Sequence, residues 1–365
     1  MKIKEVLDFL EKKYPLSYQE DFDNCGVQCG DKNREITGVL VCFEMSDETI
    51  DEAIARGANL VISHHPLILR RGICKIEPTD RVGRILCKAL EHKMVLYSMH
   101  TNLDSAPGGV NDVFADKLNL QDVRVLEPQS AGLQKIAFFV PKSHSQLVQD
   151  ALFEVGCGKL GDYDHCAYKL QGEGCFRPAA DAHPFIGEAG KLETVEEERV
   201  ELVFPAFLQK KVVEALYRTH PYEEPAFDIY RLENLSRTVG LGRVGTLPAP
   251  VDAQEFLHSL KEIFGVKMVR YYGDLQKPVQ KIAVCGGSGS SLIGLARAAG
   301  ADAFVSGDIK YHDFHTADKK MLIADIGHLE SEQFIKEIIF NEIKENFVTF
   351  AVAFSQTEKM RIGIV

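Results

Sequence analysis

Basic residues are in short supply in this chain: 42 Lys and Arg stand against 53 Asp and Glu, a formal charge of −11 with histidine neutral. Coating a phosphate backbone needs the opposite surplus, so general nucleic-acid binding is not expected, which leaves room only for a local basic patch. Apolar runs are short: none approaches the ~20 residues that span a bilayer, so no membrane segment is expected. The opening Met1-Lys2-Ile3-Lys4-Glu5-Val6-Leu7 turns charged too early for a signal peptide and reads as the first turn of an amphipathic helix. Paired cysteines are missing too. Nine are scattered along the chain, an odd number with no CxxC pair. That argues against a disulfide framework and for reduced thiols in the cytoplasm.

What is present suffices for packed cores. Hydrophobic residues make up 45% and charged residues 26% of 365, which excludes wholesale disorder. The length suits two or three domains at ~100–200 residues each.

One pattern occurs twice. Residues 39–43 are a short β-branched apolar run. Helical spacing follows over 47–56 through Ile50, Ala53 and Ile54, and Gly57 stops it before a buried strand at 60–63. Downstream the order recurs as a strand at 282–285, a helix at 291–299, Gly300, and a strand at 303–306. The copies align without a gap at an offset of 243 residues, Gly57 falling on Gly300 and Ser63 on Ser306. A third strand, 93–96 and 320–323, follows each at a shorter offset. Strand–helix–strand units with short loops imply parallel strands and right-handed crossovers.

Between the halves the habits change. Residues 134–140, 164–172, 192–204 and 226–232 read as strands, and 143–155 and 207–218 as helices. This βαββαβ order is ferredoxin-like. Gly240-Leu241-Gly242 and Pro248-Ala249-Pro250 punctuate its end. The expected fold is therefore α/β, with two pseudo-repeated α/β halves, 1–127 and 248–365, forming one domain. An α+β ferredoxin-like domain, 128–247, is inserted between them.

Ligand sites in such sheets lie beyond the carboxyl ends of the strands, and those positions carry the reactive residues. Ser63-His64-His65-Pro66 follows a buried strand; adjacent side chains diverge there, so His64 and His65 can serve two neighbouring ions. His100 and Asp104 follow the next strand, Asp104 as a hard anionic donor. In the second half, Asp325-Ile326-Gly327-His328-Leu329-Glu330-Ser331-Glu332 leaves a strand for a helix. Residues four apart share a helix face, so His328 and Glu332 can converge on a metal, with Glu332 able to bridge two. Singly, each has a plainer explanation: a solvated histidine pair, a loop-capping aspartate, acids gathered at a helix amino terminus. Their coincidence at corresponding strand ends of both halves favours a metal centre.

Two further loops face the same rim. In Gly286-Gly287-Ser288-Gly289-Ser290-Ser291, amides of Gly287, Ser288, Gly289, Ser290 and Ser291 at a helix amino terminus suit a phosphate. A tight turn packing helix on sheet explains the stretch equally well, and it is neither a Walker A loop nor a GxGxxG fingerprint. His312 and His315 are candidates for proton transfer, or else structural or surface histidines.

With these residues in view, the chain resembles the YbgI/YqfO family, whose members are often labelled GTP cyclohydrolase 1 type 2 homologs or Nif-three-like proteins. The resemblance rests on the SHHP, HTNLD, GGSGSS, SGDIKYHDFHTA and GHLESE stretches and covers essentially the whole chain. Thr219-His220-Pro221-Tyr222-Glu223-Glu224-Pro225-Ala226-Phe227-Asp228 resembles the signature of the PII/CutA-like domain of longer bacterial members. The resemblance implies a two-metal site at His64, His65, Asp104, His328 and Glu332, with Glu332 bridging and His100 a near neighbour. It also implies a toroidal oligomer, commonly a hexamer, whose sites face an inner cavity. The family's acidic residue after the first strand falls here on Glu44.

The function expected on these grounds is a dinuclear metal-dependent hydrolase of a nucleotide-like substrate. It would open the GTP ring in a cyclohydrolase form, or attack phosphorus in a phosphoesterase form. Three imidazoles and two carboxylates suit two divalent ions, zinc first, then iron or manganese. The alternative is a non-catalytic metal-binding regulator or scaffold whose insertion senses a ligand. Five protein donors shared by two ions leave room for water, which favours catalysis.

Overall fold

The computed structural model describes residues 1–358 apart from 70, 71, 74, 131 and 319. The chain forms two compact units, one from Met1–Gln129 with Arg237–Val365, the other from Ser130–Ser236.

The first unit contains two sheets. One has the order Gly26–Cys29, Val95–Ser98, Leu60–Ser63, Gly38–Cys42, Ala351–Phe354. All its pairings are parallel except that of the edge strand Gly26–Cys29. The other has the order Arg270–Tyr272, Leu322–Asp325, Ala303–Gly307, Val279–Ser288, Leu235–Val251, Gln121–Ser130. Here Ala303–Gly307 runs parallel to both its neighbours, and the edge strand Arg270–Tyr272 is again antiparallel. Pairing registers correspond: Val39 faces Leu60 and Val41 faces Ile62, as Ile282 faces Ala303 and Val284 faces Val305.

Every residue of Gly38–Cys42, Leu60–Ser63, Val95–Ser98, Ala303–Gly307 and Leu322–Asp325 is buried. Parallel strands covered on both faces need such unbroken apolar runs. The helix Asp47–Ala55 starts where the Ser46 hydroxyl accepts the Thr49 amide, buries Ile50 and Ala53, and gives way to Gly57 at φ +66°. The amino-terminal helix Ile3–Lys13 is amphipathic as expected. It lays Ile3, Val6, Leu7 and Leu10 into a core shared with Ile335, Ile339 and Ile343 of the late helix Ile335–Asn346.

The second unit runs strand Leu133–Pro141, helix Ser145–Glu154, strands Ala167–Phe176 and Glu193–Pro205, helix Gln209–Thr219 and strand Phe227–Arg231. Its four strands form one antiparallel sheet, with Glu193–Pro205 and Leu133–Pro141 at the centre. Alternate residues Val200, Leu202 and Phe204 pack on Val148 and Leu152 of one helix and Val212 and Leu216 of the other.

This unit closes at Ser236, short of the 247 read from the Gly and Pro punctuation. Leu235–Val251 is one strand, and its Arg243 to Thr246 stretch pairs with residues 281–284 in the first unit. Gly240, at φ +148°, lies where an added Cβ would stand 2.1 Å from the Glu127 carbonyl. The two prolines fall where the register slips between Thr246 and Val251. The punctuation therefore marks an irregular strand, since glycine permits close backbone approach and proline is tolerated at bulges. Among the described residues no helix is long and apolar enough to cross a membrane, and the eight described cysteines are free thiols.

Candidate metal centre

Three strand ends in the first unit converge. Leu60–Ser63 delivers His64 and His65. The Ser63 hydroxyl donates to the His65 carbonyl at 2.6 Å, and the His64 and His65 amides donate to Cys42 and Phe43 carbonyls on the neighbouring strand. Val95–Ser98 delivers His100 and then the short helix Thr101–Ser105, which carries Asp104. Leu322–Asp325 leads through Gly327, at φ +97°, into the turn His328–Glu332. Asp325 shapes that exit by accepting the Gly327 amide at 3.0 Å and the Ile309 amide at 3.1 Å, while Arg270 neutralises it at 3.2 Å. Gly287 sits against this turn at φ +64°. A Cβ there would come within 2.2 Å of Glu332 Oε1, so only glycine leaves the carboxylate its place.

Glu332 is the hub. Its Oε2 lies 3.2 Å from His328 Nε2 and 3.5 Å from the Nε2 atoms of both His64 and His65. Asp104 Oδ1 is 3.9 Å from His64 Nε2, and His65 and His328 bring their Nε2 atoms to 3.2 Å. Donor atoms of His64, Asp104 and Glu332 fall within 4.8 Å of one another, as do those of His65, His328 and Glu332, and those of His64, His65 and His100. These groups could hold a metal ion. His64 Nε2, Asp104 Oδ1 and Glu332 Oε2 are buried and make no hydrogen bond. Clustered donors left unsatisfied in this way are costly unless a cation completes them.

Three of the imidazoles are fixed from behind: His64 Nδ1 is 2.7 Å from the Met99 carbonyl, His65 Nδ1 3.3 Å from Glu44 and His328 Nδ1 2.7 Å from Asp308. Since those oxygens only accept, Nδ1 of these three rings carries the proton and Nε2 can present its lone pair to the cluster. His100 Nδ1 lies 2.9 Å from Asp23 but makes no hydrogen bond. Burial drives His64 down to about 4 and keeps it neutral. His65 is held up at about 9: burial pulls it down, but the Glu332 and Glu44 carboxylates more than compensate. His328 also stands at about 9, chiefly because of Glu332 beside it. Burial pushes Glu332 up, yet the surrounding imidazoles bring it well below its usual range. Burial and the Glu332 charge push Asp104 well above its own. This excess of exchangeable protons is what a bound cation displaces.

The five residues named by resemblance thus share one cluster, and His100 joins it through His64 and His65. The other candidates lie differently. Gly287 and Gly289 donate their amides to Ser331 and Ser306 hydroxyls at 2.8 and 3.0 Å, so these two donors are engaged within the protein. Ser288 still belongs to the strand Val279–Ser288, and Ser290 and Ser291 open a three-residue 3₁₀ turn. His312 and His315 are exposed and pack edge-on against Tyr311, outside the donor clusters of the described residues.

The segment 23–28 was missed by sequence reasoning. Asp23 accepts the Thr101 amide at 3.0 Å and the Cys25 thiol at 3.1 Å, besides pairing with His100. Against the upward push of burial, the His100 pairing holds its carboxyl well below the usual range. Asn24 donates to the Ile68 carbonyl at 2.7 Å and Gln28 accepts the Ile68 amide at 3.0 Å, which ties down the loop after His65. No spacing rule in the sequence links this segment to strands 35 to 75 residues away.

A family model described as Duf34/NIF3 (NGG1p interacting factor 3) matches residues 1–360. A Bacillus subtilis protein named GTP cyclohydrolase 1 type 2 homolog is 41% identical over 336 residues, 92% of this chain and 90% of its own length. A Listeria innocua protein of the same name is 38% identical over 344 residues, 93% of this chain and 92% of its own. The crystal structure of a Bacillus cereus protein related to NIF3 superposes with a TM-score of 0.84 at 36% identity, covering 100% of this chain and 99% of that one.

Proposed function

Since the chain belongs to the Duf34/NIF3 (NGG1p interacting factor 3) family, we propose that it is a dinuclear metal-dependent hydrolase acting on a nucleotide-like substrate. One observation carries the reading: three imidazole nitrogens surround a single buried carboxylate oxygen, Glu332 Oε2, within 3.2–3.5 Å. Two divalent ions fit that arrangement, one on His64, Asp104 and Glu332, the other on His65, His328 and Glu332. Mixed imidazole and carboxylate donors suit zinc, with iron or manganese as alternatives. Ions bound there would supply Lewis-acid activation of water and neutralise charge developing on the substrate.

The chain's own residues do the rest. Met99, Glu44 and Asp308 hold the ligand imidazoles in one tautomer and one orientation. Three protein donors per ion leave coordination positions open, which a purely structural site does not do. The names of the relatives favour ring opening at the carbon between the imidazole nitrogens of guanine; the same donor set suits attack at phosphorus. For the second unit, the βαββαβ order and the antiparallel sheet support a ferredoxin-like insertion. The matching registers of the first unit support a duplication.

The test incubates metal-loaded protein with GTP, other nucleotides and phosphodiesters and follows products by mass spectrometry. Metal-dependent turnover of one member is expected. Absence of turnover across the panel would favour a metal-binding regulator instead.

A further inference from the structure

The carboxyl-terminal segment reaches the metal loop by a reciprocal exchange of carboxylates. The last strand, Ala351–Phe354, runs parallel to Gly38–Cys42, and the Ser355 amide extends that pairing by donating to the Val41 carbonyl at 2.8 Å. The chain then folds around Glu52 of the helix Asp47–Ala55. Glu52 accepts the Ser355 hydroxyl at 2.8 Å and the Gln356 and Thr357 amides at 2.9 and 3.2 Å. In return, Glu358 Oε1 accepts the Phe43 and Glu44 amides at 2.5 and 2.8 Å, while its Oε2 pairs with Lys336 at 2.9 Å.

Those two amides belong to the residues that touch His65. The Phe43 ring packs 4.5 Å from the His65 ring, the Phe43 carbonyl accepts the His65 amide at 3.1 Å, and Glu44 Oε1 lies 3.3 Å from His65 Nδ1. Without Glu358 the part-buried Phe43 amide would lose its partner and let this turn relax, because backbone donors shielded from water need one. One fixed carboxylate satisfies both.

We infer that Glu358 is a positioning residue of the metal centre: it fixes the 43–44 turn, and through Glu44 and Phe43 it sets the orientation of His65. The inference rests on the metal-centre reading above. It makes the far carboxyl end of the chain part of a site whose nearest ligand on that side is residue 65.

The experiment titrates full-length, metal-free protein with zinc against a competing chelator, for wild type and for Glu358→Ala, Glu358→Asp and Glu358→Gln. Loss of an outer-shell partner weakens metal binding roughly tenfold or more. That loss is expected for Glu358→Ala, and for Glu358→Asp, whose shorter arm cannot reach both amides. Glu358→Gln keeps the accepting oxygen and should bind zinc within about twofold of wild type, even if losing the Lys336 pair lowers its melting temperature. In a Glu44→Ala background, Glu358→Ala should cost much less than it does alone, because neighbours acting along one path are not additive. Wild-type affinity in Glu358→Ala and Glu358→Asp, equal loss in Glu358→Gln, or full additivity with Glu44→Ala would each overturn the inference. Histidine-selective ¹⁵N spectra of the metal-free protein separate its failure from failure of the metal reading. The His65 ring signals should move in Glu358→Asp and stay in Glu358→Gln whether or not zinc binds. If zinc does not bind wild type, the metal reading falls; if those signals do not move, the positioning role falls.

Discussion

His65 and His328 bring their Nε2 atoms within 3.2 Å of each other across 263 residues of chain. Two neutral acceptors cannot face each other at that distance without a proton or a cation between them. Both nitrogens also look onto Glu332 Oε2, so the contact is the centre of the proposed site.

Removing donors from both sides of this contact should empty the site without unfolding the chain. His65→Ala combined with Glu332→Ala is expected to lose all bound divalent metal by elemental analysis and to remain soluble and folded by circular dichroism. Full metal content in the double variant would refute the ligand assignment.

Metal uptake should release protons. His65 and His328 stand at about 9, above the ~6.5 of free imidazole. In the metal-free protein their charge contributes stability that is complete below about pH 6.5 and is lost as pH rises through about 9. A cation needs the lone pairs those protons occupy, so apparent affinity should rise with pH up to about 9. Calorimetry near neutral pH, in two buffers of different ionisation enthalpy, counts the protons. A buffer-independent heat would contradict the role of these two residues.

Gly287→Ala should weaken metal binding more than it weakens the fold. The new methyl meets Glu332 Oε1 at 2.2 Å, and the backbone is held at φ +64°. We expect at least tenfold loss of affinity, as for other disturbed ligands, read by chelator competition. Unchanged affinity would show that Glu332 tolerates displacement.

Asp23→Ala should destabilise the first unit by roughly 1–3 kcal/mol, the cost of leaving buried donors unsatisfied. The Thr101 amide, the Thr101 hydroxyl and the Cys25 thiol lose their acceptor together. Urea denaturation measures the change. An effect below about 0.5 kcal/mol would mean water replaces the carboxylate.

Excision of 130–236 should leave the first unit folded. Gln121–Ser130 and Leu235–Val251 are neighbours in one sheet, and adjacent strands lie ~4.8 Å apart, so a short turn can join Gln129 to Arg237. Excision of 128–247 should fail. It removes the strand segment paired with residues 281–284, along with Arg243, which is buried and paired with Asp112. The part-exposed Asp112 would lose its partner as well. Equal solubility and melting of the two deletions would count against this boundary.

The missed boundary shows what local signals can and cannot say. Gly240, Gly242, Pro248 and Pro250 are breakers by propensity, but a partner strand at Val279–Ser288 absorbs them as irregularities. Elements with period or unbroken apolarity were readable: the strands ending at Ser63, Ser98 and Asp325, and the helices Ile3–Lys13 and Asp47–Ala55. The edge strands Gly26–Cys29 and Arg270–Tyr272 were not, because their few residues carry mixed burial and gain their identity from a neighbour.

By itself the sequence determined which side chains could bind a cation and that they follow strands, since donor chemistry and apolar runs are local properties. Tertiary structure decided that His64, His65, Asp104, His328 and Glu332 meet, which nitrogen of each of the three rings faces inward, and that Glu44 and Asp308 stand behind His65 and His328, with Glu358 holding the 43–44 amides. Those facts depend on strand ends of two separate sheets meeting, one carrying His64, His65 and Asp104 and the other His328 and Glu332. No spacing along the chain encodes a distance between two sheets.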